Sequence, residues 1–161
     1  MTRWLDPVEM RAWRAFIETV GDLLSALEAD LAVVGLTLGD YQVLVHLSEQ
    51  EDQSMRMCDL ASLLQLSPSG LTRRLDGLVG RGLVVRQPSP DDRRVSLARL
   101  TEQGRAELTR AAPHHVASVR RHLVDRVGAA DLGGLARSFE AVRAGLDPAG
   151  ARDVVTSGSA T

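Results

Sequence analysis

The chain has 161 residues, which suffices for one domain with helical extensions, and 44% of them are apolar, as in a folded protein. Its longest uncharged apolar run, the nine residues 31–39, is far shorter than the roughly 20 needed to cross a membrane. No apolar segment of a signal peptide follows the N-terminal charges, so we predict a cytoplasmic protein with no membrane partner. The single cysteine, Cys58, excludes an internal disulfide.

The net charge of −2 hides an uneven distribution along the chain. Residues 1–55 contain three arginines and ten acidic residues, a net charge of −7. Residues 56–126 contain thirteen arginines and seven acidic residues, a net charge of +6. Positive charge confined to one segment is typical of a nucleic-acid-binding surface.

Two helices are predicted before the basic segment. Asp6 followed by Pro7 is typical of a helix start, and apolar residues then recur at heptad-like spacing for some 25 residues until Gly35. A helix of this length exceeds what a small domain can bury, so we expect it to pack partly against a second copy of the chain. Thr37 is a plausible cap for the next helix, residues 38–51.

A helix-turn-helix is predicted next. A short helix over residues 57–64, preceded by a possible brief strand at 55–57, leads into a turn at Gln65 and Leu66. Ser67 and Pro68 then form a strong helix start. The stripe of this second helix that is predicted to be buried consists of Leu71, Leu75 and Leu78.

The opposite face of the second helix carries Ser69, Arg73, Asp76 and Gly77, with Thr72 and Arg74 on its flanks. Small hydroxyl residues beside two arginines make a slim surface rich in hydrogen-bond donors, which fits a DNA major groove. From this helix alone, an ordinary solvated face is an equally good interpretation.

The following segment favours DNA binding. Residues 83–87 and 95–100 are predicted to be the two strands of a hairpin, and the loop between them contains Arg93 and Arg94. A thin loop with arginines suits the minor groove, where negative potential is concentrated. Asp92 could brace the Arg94 guanidinium, and Arg86 could pair with Asp76 to hold the hairpin to the helix.

The remaining chain is predicted to be helical up to residue 146. Thr101 caps a long helix that Pro113 should kink or interrupt, and the helix is expected to resume as far as Val127. A last amphipathic helix covers residues 131–146. From Asp147 onward the composition predicts a disordered tail.

Together these motifs resemble the MarR family of winged-helix regulators. The resemblance covers roughly residues 10–145 and is most specific over 57–104. It is carried by Leu-Ser-Pro-Ser-Gly-Leu-Thr-Arg-Arg-Leu-Asp-Gly-Leu-Val-Gly-Arg-Gly-Leu-Val-Val-Arg, then Pro-Asp-Asp-Arg-Arg and Leu-Thr-Glu-Gln-Gly, in the family's order and spacing.

The predicted fold is mainly α: a winged helix-turn-helix with a two-stranded β wing and N- and C-terminal dimerisation helices. The predicted boundaries are 1–36 for the N-terminal dimerisation helix, 37–100 for the DNA-binding domain, 101–146 for the C-terminal dimerisation helices and 147–161 for the tail. The resemblance implies a homodimer that binds a pseudo-palindromic operator in double-stranded DNA, and we expect a ligand-responsive repressor. The predicted DNA-binding residues are Ser67, Ser69, Thr72, Arg73, Arg74, Asp92, Arg93 and Arg94, with Arg74 on backbone phosphate.

The resemblance also implies a crevice between the dimer helices and the winged domain, often occupied by a small aromatic or phenolic anion. Candidate residues by type and position are Trp13, Arg14, Tyr41, His46 and His114. For each of them, simple packing or surface exposure is the competing interpretation.

Other chemistry finds less support. The four histidines lack the spacing of a zinc site, so no metal or cofactor is predicted, although a zinc-responsive regulator remains an alternative. A second alternative is a winged helix that binds ligand or protein without DNA. Cys58 is predicted to be a small buried residue rather than a redox sensor. No nucleophile with a placed base appears, so an enzyme is not expected.

Overall fold

A computed structural model describes residues 2–146, and the chain divides into two compact units, Met1–His122 and Leu123–Thr161. The predicted tail, 147–161, lies outside the described residues. As predicted, the fold is mainly helical with a small sheet. Its elements are α1 (Pro7–Ala32), α2 (Leu38–Ser48), β1 (Ser54–Arg56), α3 (Met57–Leu63), α4 (Pro68–Gly80), β2 (Val84–Pro88), β3 (Ser96–Leu100), α5 (Glu102–Val119), a π-helical turn (Arg120–Val124) and α6 (Ala129–Leu146).

The four helix starts predicted from polar caps are confirmed. The Asp6 carboxylate accepts the Glu9 amide hydrogen at 2.9 Å, and Ser67 Oγ accepts that of Gly70 at 3.1 Å. Thr37 and Thr101 cap α2 and α5 in the same way. Each cap satisfies an amide that the first helical turn leaves without a partner, which fixes where the helix begins.

The sheet has three antiparallel strands in the order β1-β3-β2. β2 and β3 form the hairpin of the predicted wing, with Val84 opposite Leu100 and Pro88 opposite Ser96. β1 confirms the possible third strand, displaced by one residue, and it pairs with β3 from Ser54 opposite Arg99. The wing is therefore held on one side by a strand that leads directly into α3.

One apolar core binds the helix-turn-helix to the wing and to the C-terminal end of α1. The predicted leucine stripe of α4 is fully buried in it, with Leu71, Leu75 and Leu78 at most 1% exposed. Leu44 of α2 and Leu60 of α3 are fully buried in the same cluster. Because the stripe is fixed in the core, the opposite face of α4 is turned to solvent.

Four sequence predictions about local structure differ from the structure. α2 ends at Ser48 rather than at residue 51. Pro113 lies within α5 and does not interrupt it, because it is on the exposed side, where water can bond the carbonyl that it leaves without a donor. The helix does not continue to Val127, because a π-helical turn follows Val119. Cys58 is exposed, since Leu60 and Ala61 are the buried residues of α3 and Cys58 lies outside the arc they define.

Large apolar side chains are exposed mainly along two helices. In α1 they include Trp13, Phe16, Ile17 and Leu24, each 43–51% exposed. Within α6 no residue is buried, and Phe139, Val142 and Leu146 are 48–77% exposed. Of the helices within residues 2–146, none combines the length and the apolar character that crossing a membrane requires.

Candidate nucleic-acid interface

The exposed face of α4 begins with three hydroxyl side chains. Ser67 Oγ caps the helix and lies 3.1 Å from Ser69 Oγ. Thr72 Oγ1 donates to the Pro68 carbonyl at 2.9 Å, which leaves its oxygen lone pairs as acceptors on the helix surface. All three residues are exposed, so the structure presents them where the sequence predicted.

The two adjacent arginines of α4 differ in their surroundings. Arg73 is exposed, and within the described part of the chain its side chain has no partner. Arg74 is half-buried: its Nη1 donates to Thr37 Oγ1 at 3.2 Å and to Asp40 Oδ1 at 3.5 Å. Arg73 is thus available to a ligand, whereas Arg74 already binds the start of α2.

The wing is fastened to α4 through Arg86 of β2. Arg86 Nη1 lies 2.8 Å from Asp76 Oδ1, which confirms the predicted ion pair. Its Nη2 also donates to the Thr72 carbonyl at 2.8 Å, a contact that the sequence did not indicate. One guanidinium therefore joins β2 to two successive turns of α4 and limits their relative movement.

The tip of the wing is shaped by main-chain hydrogen bonds. Asp92 Oδ1 accepts the backbone amide of Arg94 at 2.9 Å, and the Asp92 carbonyl accepts that of Val95 at 2.9 Å. The prediction that Asp92 braces the Arg94 guanidinium is therefore corrected, because its carboxylate folds back onto the chain in an Asx turn. The side chains of Arg93 and Arg94 are exposed, with no partner among residues 2–146.

Of the candidate pocket residues, Tyr41 is the one the structure places in the core. It is 8% exposed, and its ring centroid lies 4.4 Å from that of His115. His114, the residue named from the sequence, is exposed, and the helical phase of α5 turns its neighbour inward instead. Burial lowers the pKa of His115 and raises the pKa of Tyr41, so both rings are neutral at pH 7.

His115 also has a buried polar atom without a partner. Its Nδ1 is inaccessible and makes no hydrogen bond to any group within residues 2–146. An unpaired buried nitrogen is unfavourable, and such atoms are uncommon in folded proteins. Sequence reasoning missed this residue because two adjacent histidines do not show which of them faces inward.

The other pocket candidates do not meet Tyr41 within one chain. Trp13 and Arg14 lie on the exposed N-terminal half of α1, and 18 residues of helix, about 27 Å, separate Trp13 from the buried Leu31. His46 is half-buried near the end of α2, with Nδ1 3.8 Å from Glu49 Oε2. Across residues 2–146, no three side chains of the metal-binding types cluster closely enough to hold an ion.

Comparison with known proteins decides the family. The model of the MarR family matches residues 36–96. The crystal structure of AbsC, a MarR family transcriptional regulator from Streptomyces coelicolor, is 41% identical with a TM-score of 0.85, and the match covers 92% of this chain and 100% of that one. The chain belongs to the MarR family.

Two further similar structures have been solved with a bound partner, one with DNA and one with a small molecule. Sco3205, a MarR family transcriptional regulator from S. coelicolor in complex with DNA, is 33% identical with a TM-score of 0.86, covering 92% of this chain and 94% of that one. CouR from Rhodococcus jostii RHA1, bound to p-coumaroyl-CoA, is 26% identical with a TM-score of 0.69, covering 94% and 96%. This MarR-family chain spans about half the length of the curated Bacillus subtilis relatives it matches, 46–57%, all of them HTH-type regulators.

The attachment of the wing of this MarR-family protein can be tested by a double-mutant cycle. Arg86→Ala should destabilise the fold more than Asp76→Ala, because only the arginine also serves the Thr72 carbonyl. Since Asp76 is 61% exposed, we expect a coupling energy of only about 0.2–1 kcal/mol between the two side chains, measured by urea denaturation. Equal effects of the single substitutions with no coupling would show that the ion pair does not hold the wing.

Proposed function

We propose that this chain is a DNA-binding transcriptional regulator that acts as a homodimer on a pseudo-palindromic operator, and that it is a ligand-responsive repressor. The observation that carries the proposal is the set of exposed arginines without a partner among residues 2–146, Arg73 on α4 and Arg93 and Arg94 at the wing tip. They lie on two elements that Arg86 fastens together. Family membership favours a regulator over an enzyme.

Each element suits one part of the duplex. In the proposal α4 enters the major groove, where Arg73 can bind the paired acceptors of guanine and Ser69 and Thr72 contact bases or phosphates. Ser67, at the positive end of the helix, lies near the backbone. The wing tip enters the minor groove with Arg94, Arg93 adds a phosphate contact, and Asp92 keeps the tip in shape.

A second copy of the chain is the partner that the exposed apolar faces favour. Water-exposed rows of large apolar side chains on α1 and α6 are unfavourable in an isolated monomer. A twofold dimer buries such rows twice, because the same surface is used by both copies. It would also present two copies of α4 about 34 Å apart, one turn of DNA.

The repressor and effector parts of the proposal rest on separate observations. CouR is a transcriptional repressor that has been solved bound to a 23-mer DNA duplex and also bound to p-coumaroyl-CoA. In this chain Tyr41 and His115 pack together and are largely buried, so they would line a crevice for an aromatic or phenolic anion only if that crevice opened beside them. Trp13 and Arg14 would join such a crevice only from a second copy, and His46 and His114 remain weaker candidates.

The alternatives have less support. A zinc-responsive regulator needs a ligand cluster, which residues 2–146 do not provide. A winged helix that binds ligand or protein without DNA has no need of exposed arginines at Arg73, Arg93 and Arg94 together. These three side chains therefore favour DNA as the partner.

Substitution of the exposed arginines tests DNA binding. Arg94→Ala should weaken binding to every duplex and lower the slope of log K against log salt by about 1 per copy, because one phosphate-directed charge is lost. Arg73→Ala should cost about 1–3 kcal/mol on a selected site and relax preference at one base position. Fluorescence anisotropy at several salt concentrations measures both effects.

The matched control is Arg105→Ala, which removes an exposed arginine from α5, where it pairs with Glu102 at 3.7 Å. It should leave affinity and slope nearly unchanged. If all three substitutions had the same small effect, α4 and the wing would not be the DNA-binding surface.

The dimer is tested by a charge placed on the apolar face of α1. Ile17 is 48% exposed in the single chain, so Ile17→Asp should leave the monomer folded while making an apolar interface unfavourable. We expect the variant to sediment as a monomer and to bind operator DNA far more weakly. Thr19→Asp, about 200° around the helix, adds the same charge on the other side and should remain dimeric. A wild-type protein that sediments as a monomer would contradict the proposal.

A further inference from the structure

The turn between α1 and α2 is tied to both helices by side-chain contacts. We call residues 33–40 the α1–α2 corner. Glu28 Oε2, on α1, accepts the Leu38 amide hydrogen at 2.6 Å, so a side chain of α1 caps the first turn of α2. Thr37 and Asp40 complete a capping box in the same turn. The direction in which α2 leaves α1 is thereby fixed.

Arg74 of α4 binds this corner rather than facing solvent. Its guanidinium bridges Thr37 Oγ1 and Asp40 Oδ1, the two side chains of the capping box. The first-turn amides of a helix carry partial positive charge and would repel a guanidinium, and the Asp40 carboxylate offsets that repulsion. The contact therefore depends on Asp40 and is local to this corner.

Gly39 provides the space for the Arg74 guanidinium. A Cβ added at position 39 would overlap Nη1 and Cζ of Arg74. Glycine is a poor helix former, and its place in the first turn of α2 is not required by a left-handed backbone. The glycine is explained by the close approach of the arginine, which shows that the sequence accommodates this contact from both sides.

The C-terminal end of α4 is anchored to the same corner. Arg81, the residue that ends α4, donates through Nη1 to the Gly35 carbonyl at 2.9 Å and through Nη2 to Glu107 at 3.0 Å. Arg110 donates to the Val34 carbonyl at 2.7 Å and also binds Glu107. The hydrogen bond from Arg110 and the charges of both arginines lower the pKa of Glu107, so this network is fully charged at neutral pH.

From these contacts we propose that Arg74 is a positioning residue: it orients α4 by binding Asp40 and Thr37 at the α1–α2 corner, and it does not contact DNA. This inference rests on the proposed function, in which α4 is the recognition helix. Arg81 is the second anchor. Because both anchors bind the α1–α2 corner, they fix the orientation of α4 relative to α1. The angle at which Arg73 meets the groove then depends on a contact that lies inside the protein.

The competing role for Arg74, a phosphate contact, predicts the opposite result for Asp40. If Arg74 binds phosphate, Asp40→Asn releases the guanidinium and removes a negative charge, so binding to every duplex becomes tighter. If Arg74 positions α4, the same substitution weakens binding to a specific site. Non-specific binding, which depends on charge, is then unchanged or slightly stronger.

The experiment uses two duplexes of equal length: one selected by the wild-type protein from a randomised library, and a shuffled version of it. For Asp40→Asn we expect affinity for the selected duplex to fall about tenfold, which corresponds to about 1.4 kcal/mol, with an unchanged salt slope. Gly39→Ala should give the same loss, because it displaces the guanidinium without changing any charge or removing a cap. Affinity for the shuffled duplex should not fall in either variant.

Two further variants separate positioning from charge. Arg74→Lys keeps the positive charge but replaces the guanidinium, whose Nη1 contacts both Thr37 Oγ1 and Asp40 Oδ1, with a shorter side chain that ends in a single ammonium, so it should lose specific affinity as Asp40→Asn does. The double variant, Arg74→Lys with Asp40→Asn, should bind the selected duplex no more weakly than the weaker-binding of the two single variants, because both substitutions remove the same contact. Glu102→Gln, at the exposed start of α5, is the control for losing one negative charge. It should leave unchanged the ratio of the affinities for the selected and the shuffled duplex.

Several outcomes would overturn the inference. Tighter or unchanged binding of the selected duplex by Asp40→Asn, or full specific affinity in Gly39→Ala, would show that Arg74 does not position α4. All variants are compared well below their melting temperatures, and Gly39→Ala decides the matter should Asp40→Asn fail to fold. If the wild-type protein selects no duplex, the proposed function fails and this inference with it. Selection by the wild type together with unaffected variants removes the inference alone.

Discussion

The burial of one leucine stripe determines how α4 can act. Leu71, Leu75 and Leu78 are fixed in the core, so the rotation of α4 about its axis is set by apolar packing. A change in that rotation would expose leucine and bury arginine, both of which are unfavourable. The outward direction of Ser69 and Arg73 therefore follows from the core rather than from any contact of their own. Without this packing the exposed face of α4 would have no defined direction.

The structure separates arginines that look alike in the sequence into two groups. Arg73, Arg93 and Arg94 extend into solvent, whereas Arg74, Arg81 and Arg86 bind groups of the protein itself. The second group holds α4 at three places: against the start of α2, against the turn between α1 and α2, and against β2. Arginine suits this task because its guanidinium carries several N–H donors and can bind two acceptors at once. The positive charge of this segment thus has a structural use beside its proposed use on DNA.

Local rules predicted most of the fold. Caps at Asp6, Thr37, Ser67 and Thr101, the leucine spacing of α4 and the β-branched strand after Gly82 each determine structure through neighbouring residues, and all are found in the structure. The sequence predictions fail where contacts with distant parts of the chain determine the local structure. Whether Pro113 breaks a helix, or whether Cys58 is buried, depends on which side of the helix meets the core.

The candidate site was predicted less completely for the same reason. Spacing placed Arg73 and Arg74 together on one surface, but it could not show that Asp40, 34 positions earlier, binds only the second of them. It could not distinguish His114 from His115, since one residue of helical phase decides which ring reaches Tyr41. Contacts between distant parts of the chain carry this information, and a single sequence does not display them.

The most direct test of the central claim is the salt dependence of DNA binding by the wild-type protein. Two copies, each contributing Arg93 and Arg94, bring four phosphate-directed charges to the duplex. The slope of log K against log salt should therefore be about −4, from about −0.9 per neutralised phosphate. A slope near zero, or no measurable affinity for any duplex, would contradict the account.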